Sequence, residues 1–437
     1  MALVTACATS TPAPPAASVT IEPAPIAAPC PDGVPADARC LRGRDSAGAH
    51  LMIVVPAQWN GVLVVHAHGG PELGEPRAAR ADEDAKRWSI LPRAGYAYAA
   101  SVFRQGGVAV RSAAEDTERV RRIFVAHVGA PRRTILHGQS WGANVAAVGA
   151  EQYAAADGGR SPYHGVLLTS GVVGGGSRSY DFRLDLRVVY QALCGNHPAP
   201  GEPAYPMSIG LPPGATLTRA ELAARADACL GLRTPAARRT PEQAQRLKTL
   251  VDVVRIPESS VLGHLNWATW HFQDIAQRSG GASPFGNERV RYAGSTDDAA
   301  LNARVARYPA DPQAAARLAA DTDPTGRIPV PVLSVHAVDD PTAFVELQSV
   351  LRDTMQRAGS GDRLVQVFTG HAAHSYLADP VYVAALEALV RWIEQGARPT
   401  PESVAQGCAA AEASWGAGCR MLPDYRPAPL EARVPPR

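Results

Sequence analysis

The chain has 437 residues, 46% of them hydrophobic, and a formal net charge of +2. That length is too great for one small domain and too short for three. The apolar share supports a sizeable core, and the near-neutral balance argues against nucleic acid or an anionic membrane surface as a partner. Arginine greatly outnumbers lysine, which occurs only at Lys86 and Lys248, a skew we read as genomic composition bias. No apolar run is long enough to span a bilayer.

The segment Val4-Thr5-Ala6-Cys7 resembles a bacterial lipobox, with Cys7 as the lipid anchor. A Thr/Pro/Ala-rich stretch follows it to about Pro29 and reads as an extended linker. The basic start and full apolar segment of a signal peptide are missing, so residues 1–29 are expected to be the remnant of an export signal plus its linker. Six further cysteines, Cys30, Cys40, Cys194, Cys229, Cys408 and Cys419, fall into local pairs. Proximity favours 30–40, 194–229 and 408–419, although about 15 connectivities exist for six cysteines. No CxxC or Cys/His cluster has zinc spacing, so no metal is expected. Disulfides imply an exported protein: periplasmic, membrane-tethered or secreted. Reduced, buried cysteines in a cytosolic enzyme are the alternative.

From Leu51 the pattern becomes α/β. LMIVVP, VLVVHAH and AYAASVF are short, Val- or Ala-rich runs that read as buried strands. Residues 113–128 have helical spacing with charges on one face, RTILH reads as a strand, 143–153 as a small-residue helix, and HGVLLTSG as the next strand. Such alternation implies a mostly parallel sheet. It stops near Gly174-Gly175-Gly176 and resumes with IPVPVLSVH from Ile328, a strand over 364–368, and an amphipathic helix over 381–394 that stops at Gly396. Between them the chain is Pro/Gly-rich, with helical patches at 219–230 and 240–254. The expected organisation is a core from 30–175 and 327–397, a lid or cap insertion at 176–326, and a C-terminal extension at 398–437 held by a disulfide.

Gly138-Gln139-Ser140-Trp141-Gly142 matches G-x-S-x-G. A serine on a tight strand-to-helix turn needs small neighbours, and glycine two residues to either side provides them. An apolar strand leads in and a helix leads out. His68-Gly69-Gly70-Pro71 follows the strand VLVVHA, where a glycine-rich turn can add a backbone donor to that of Trp141 in an oxyanion hole. Pro71 has no N–H, which leaves Gly69, Gly70 or Glu72 as the second donor. A carboxylate is expected after the strand beyond the insertion, where Asp339 and Asp340 stand, and a histidine before the last helix, where His371 and His374 stand. Ser, Asp, His is the chain order of a nucleophile-elbow hydrolase.

On these residues the chain resembles the α/β-hydrolase superfamily, over roughly 45–175 and 327–397. The resemblance implies the α/β-hydrolase fold with a mostly parallel central sheet. HAVDDP is similar to the family's H-G-x-x-D-P, with Ala337 in place of glycine, and favours Asp340. HSYLADPVYVAALEALVRW is similar to the stretch from the catalytic histidine to the tryptophan of the last helix, and favours His374. Gly370-His371 also matches a family Gly-His pair and remains a rival. HGGP and GQSWG resemble proline iminopeptidases; exported esterases of the tannase and feruloyl esterase type are also similar. Those carry cysteines beside the serine and histidine, where this chain has Gln139, Trp141, Ala373 and Ser375.

Three functions follow for testing: a serine esterase acting on a small-molecule ester, an exopeptidase acting on a short peptide, and a non-catalytic binding protein on a hydrolase scaffold. An exopeptidase needs an acid for the substrate amine, and Glu72 is the candidate. Trp267, Trp270, His271 and Phe272 either line a substrate pocket or belong to the core. No G-x-G-x-x-G follows the first strand and no phosphate-binding lysine motif occurs, so no cofactor is expected.

Overall fold

The computed structural model describes residues 22–437; the lipobox with Cys7 lies outside the described residues. Nine strands form one sheet in the order β1-β2-β3-β5-β4-β6-β7-β8-β9. They are β1 (Ile26–Ala28), β2 (Arg39–Arg44), β3 (His50–Val55), β4 (Val62–Ala67), β5 (Ala97–Ser101), β6 (Arg133–Gln139), β7 (Gly165–Thr169), β8 (Val332–Ala337) and β9 (Leu364–Thr369). From β5 through β9 every pairing is parallel, and β1, β2 and β3 run antiparallel at one edge. This is the mostly parallel α/β-hydrolase sheet that the motifs imply. β4, β5, β7 and β8 are buried along their whole length, which is why they read as continuous apolar runs rather than alternating ones.

Helices cover both faces. Val110–His127 and Trp141–Gln152 lie on one face. Arg80–Arg87 and Asp379–Gln395 lie on the other, around the buried Trp88. Pro380 sits in the first turn of Asp379–Gln395, and Gly396 (φ +70°) ends it in the left-handed conformation, as the sequence predicts. Residues 175–326 contain helices and no strand between β7 and β8. Arg219–Leu230 and Pro241–Val254 begin at Thr218 and Thr240, each in a reciprocal capping box with Glu221 or Gln243.

Among the described residues three disulfides form, Cys30–Cys40, Cys194–Cys229 and Cys408–Cys419, with Cα separations of 5.2, 5.7 and 5.8 Å. They match the pairing expected from proximity and point to an oxidising compartment. Among the described residues no helix is long and apolar enough to cross a membrane.

Two parts of the fold differ from expectation. The stretch read as linker to Pro29 contains β1, which pairs with β2 and is tied to it by Cys30–Cys40. Neither strand gives a long buried run: β1 has three residues, none of them buried, and in β2 only Cys40 and Leu41 are buried. The C-terminal extension also holds the helix Pro401–Trp415, and residues 420–422 pair with the open edge of β9. There the Gly370 N–H donates to the Arg420 carbonyl at 2.7 Å and the Leu422 N–H to the Phe368 carbonyl at 2.8 Å, which covers an otherwise unpaired edge.

Candidate active site

The parallel strands deliver their C-terminal ends to one side of the sheet, and the motif residues collect there. Ser140 stands between β6 and the helix Trp141–Gln152 with φ 58° and ψ −122°, a conformation that costs a non-glycine residue about 1–3 kcal/mol. The flanking glycines show why the turn can form. A Cβ on Gly138 would lie 2.1 Å from the Gly142 carbonyl oxygen, and one on Gly142 would lie 2.0 Å from that of Ala67. Both obstacles are backbone and cannot swing aside.

His374 reaches the serine from the loop after β9. Its Nε2 is 2.7 Å from Ser140 Oγ, and its Nδ1 is 2.8 Å from Asp340 Oδ2 and 3.0 Å from Oδ1. With Nδ1–H donating to the carboxylate, Nε2 is free to accept the serine proton. Asp340 is buried, and its Oδ1 also accepts the N–H groups of Thr342 at 2.8 Å and Ala343 at 2.9 Å. His336, on β8, hydrogen-bonds the Ala343 carbonyl and Gln348, which braces the same loop.

The rival residues are elsewhere. Asp339 is exposed. His371 is buried against Gly418 and Arg420 of the C-terminal segment, where burial and the arginine charge lower its pKa.

The turn after β4 passes directly over the serine. A Cβ on Gly69 would meet Gln139 Oε1 at 2.2 Å and Ser140 Cβ at 3.1 Å, and Gly70 has φ +71°. Trp141 opens the helix, so its N–H has no intrahelical acceptor. The backbone of Trp141, Gly69 and Gly70, the donors expected from the sequence, thus lies close around the serine. Arg80, which the sequence reading missed, fixes this turn: Nη2 donates to the Gly69 carbonyl at 3.0 Å, Nη1 to Glu72 at 2.8 Å and Nε to Asp84 at 2.9 Å. Only its i,i+4 spacing to Asp84 was visible beforehand. Glu72 is thus engaged by Arg80, with Arg77 also at 3.4 Å.

The helices between β7 and β8 touch the acid loop and the glycine turn. His264 Nε2 contacts the Pro341 carbonyl at 3.3 Å beside Asp340, and His271 Nε2 donates to the Pro71 carbonyl at 2.9 Å beside the glycine turn. Burial pulls the pKa of His271 down to about 4 and that of His264 far down, the charge of Arg183 adding to both. Trp267 stacks on His271 with ring centroids 4.6 Å apart, and packs on Tyr180 at 4.5 Å. Trp270 is flanked by Arg219, while Phe272 is wholly buried core. The turn Trp267–His271 is π-helical, a local widening that recurs at functional sites. Among the described residues no cluster of His, Cys, Asp and Glu could hold a metal ion.

No protein-family model and no curated protein matches the sequence. Solved structures similar to the chain include the cell wall degrading esterase LipA from Xanthomonas oryzae, at 13% identity and TM-score 0.37 over 77% of this chain and 83% of that one. Lipase A from Candida antarctica in its closed state is similar at 13% identity and TM-score 0.46, over 94% of this chain and 85% of that one. An esterase from Aspergillus oryzae is similar at 11% identity and TM-score 0.42, over 83% and 81%.

Proposed function

We propose that the protein is a serine hydrolase that cleaves an ester through an acyl-enzyme intermediate. The observation that carries this reading is the unbroken hydrogen-bonded chain from Ser140 through His374 to Asp340, on a serine held at positive φ. A serine hydroxyl is nearly inert at neutral pH without a positioned base. His374 Nε2 takes the Oγ proton as Oγ attacks the ester carbonyl, and Asp340 stabilises the imidazolium that forms. The carbonyl oxygen, now negative, is met by the N–H of Trp141 and that of Gly69 or Gly70. His374 then returns the proton to the leaving alcohol. Water repeats the sequence on the acyl-enzyme and releases the acid.

The helices of 176–326 act in this reading as a lid: they contact the acid loop, the glycine turn and the serine's neighbours together, and Ser140 is only 7% exposed. Three disulfides support export, and Cys7 is the proposed point of lipid attachment. The exopeptidase reading is weaker because its amine-binding acid, Glu72, is already paired with Arg80.

A fluorophosphonate probe should label the wild-type protein, and Ser140→Ala should abolish labelling and hydrolysis of short p-nitrophenyl esters together. Labelling that survives in the variant removes Ser140 from the role. Faster turnover of aminoacyl anilides than of esters favours the peptidase.

A further inference from the structure

Arg183 lies in the second turn-forming position of the helix Phe182–Cys194 and is 4% exposed. Buried arginines are ordinarily paired with a carboxylate. This one is not: among the described residues no Asp or Glu lies within ion-pair distance of it. Only Nη1 has an acceptor, the Ser179 carbonyl at 2.8 Å, and Nε is buried with none. The nearest carboxylate to act on it electrostatically is Asp181, whose Oδ2 is taken by Arg437 at 2.7 Å. Burial pulls the pKa of Arg183 down to about 10, so the group remains a cation at neutral pH. Aromatic faces supply part of its solvation: the guanidinium carbon is 4.4 Å from the Trp267 centroid and 4.6 Å from that of Phe182. Rings can attract a cation but leave its in-plane N–H donors unused.

Its aromatic neighbours connect it to the loops around the reacting centre. Trp267 stacks on His271, which holds the Pro71 carbonyl next to the glycine turn. Phe182 packs against His264, which holds the Pro341 carbonyl next to Asp340. Tyr180 packs on Trp267 and faces the Trp141 indole, next to Ser140. The neighbouring buried Arg187 also lacks a carboxylate and has a bare Nε, but both of its terminal nitrogens have acceptors, the His197 carbonyl, the Tyr205 hydroxyl and the Gly210 carbonyl, whereas Arg183 has one for Nη1 alone.

We propose that Arg183 is the specificity-determining group of the site and binds a carboxylate carried by the substrate, so that the enzyme prefers carboxylate-bearing esters over neutral ones. The inference rests on the reading of Ser140 as the nucleophile. A planar fork with unused donors is the group best suited to a carboxylate. Bonds to a charged partner in a water-poor site correspond to about 10- to 100-fold in kcat/KM.

Two matched pairs test it, one for each side of the ester. Mono-p-nitrophenyl glutarate is compared with p-nitrophenyl valerate, and 4-acetoxybenzoate with p-tolyl acetate. At least one charged ester should exceed its neutral partner by 10-fold or more, and in Arg183→Met that ratio should fall to within about 2-fold of unity, with Arg183→Lys between. A purely structural role would lower both members of a pair and leave the ratio alone. Neutral esters preferred by the wild type, or a preference that persists in Arg183→Met, overturns the proposal; the wild-type comparison decides even if the variant fails to fold. Should none of the four esters be hydrolysed, the hydrolase reading fails, and glutarate then decides separately. A rise in melting temperature with millimolar glutarate, present in wild type and lost in Arg183→Lys and Arg183→Met, supports the anion site, and no rise in the wild type overturns it.

Discussion

Acid should destabilise this fold through a pair of histidines in the middle of the sheet. His66 on β4 and His137 on β6 are wholly buried, with their Nδ1 atoms 3.0 Å apart. Only one hydrogen fits between those atoms. Thr169 Oγ1 donates to the Gly138 carbonyl at 3.3 Å and so accepts from His137 Nε2–H at 3.1 Å. That makes His137 Nδ1 the acceptor and His66 Nδ1–H the donor, and it leaves His66 Nε2 bare, buried and without a partner. Both rings are therefore neutral. Burial lowers both pKa values, and for His66 the nearby His137, His68, Arg80 and Arg87 lower it further. Unfolded histidines titrate near 6.5. Since the folded values are lower, the unfolded state binds more protons as the pH drops; stability is fully present above the unfolded value and is lost below it, down toward the folded values. Two such groups contribute a slope of about 2.7 kcal/mol per pH unit, or roughly 4 kcal/mol between pH 8 and pH 5. That is a large part of the 5–15 kcal/mol of a typical domain. Urea unfolding followed by tryptophan fluorescence at pH 8, 6 and 5 measures it. Other buried histidines add to the wild-type slope, so the comparison is with His66→Leu/His137→Leu, which should lose about 4 kcal/mol less over that range. Identical pH dependence in the two proteins would falsify the assignment of neutral rings.

Two further outcomes follow from the site. His374→Ala should lower kcat on p-nitrophenyl butyrate by several orders of magnitude and Asp340→Asn by roughly 10⁴-fold, whereas His371→Ala should retain most activity; an inactive His371 variant would reverse the assignment. Gly142→Ala forces a Cβ to 2.0 Å from the Ala67 carbonyl oxygen, so it should cost about 1–3 kcal/mol and weaken fluorophosphonate labelling, and a variant with unchanged melting temperature and labelling contradicts the steric account of the elbow.

The parts legible in the sequence were those written as local pattern. Strands buried on both faces declare themselves as runs such as VLVVHA, and the elbow declares itself because Gly138 and Gly142 have backbone rather than side chains as their obstacles. Helix ends at Thr218, Thr240 and Gly396 followed capping chemistry. What escaped depends on partners far away in the chain. β1 and β2 owe their place to β3 and a disulfide, since they bury little of their own. The choice between His371 and His374 turns on residues 418–422, which fold back along β9 and occupy the side where His371 lies. Arg183 reads as one arginine among many until distant parts of the 175–326 segment bring Tyr180, Phe182 and Trp267 around it.

The three members of the proposed triad are held with unequal firmness, and the difference bears on how the site works. Ser140 is pinned through its backbone: its N–H donates to the Thr169 carbonyl at 2.9 Å, and its carbonyl accepts from Ala143 at 3.1 Å and Val172 at 3.0 Å. These bonds to the end of β7 offset the strain of its positive φ and do not depend on substrate. Asp340 is fixed by two backbone N–H groups on one carboxylate oxygen. His374 stands on the loop between β9 and the helix Asp379–Gln395, and its ring is oriented by Asp340 on one side and Ser140 on the other. Removing Asp340 therefore withdraws more than a charge: it removes the partner that orients the base at Nδ1. The serine, by contrast, keeps its geometry when either partner is lost. Residual activity in His374 and Asp340 variants should accordingly come from a correctly placed Ser140 and its oxyanion donors, which is the order of importance that a preorganised backbone imposes.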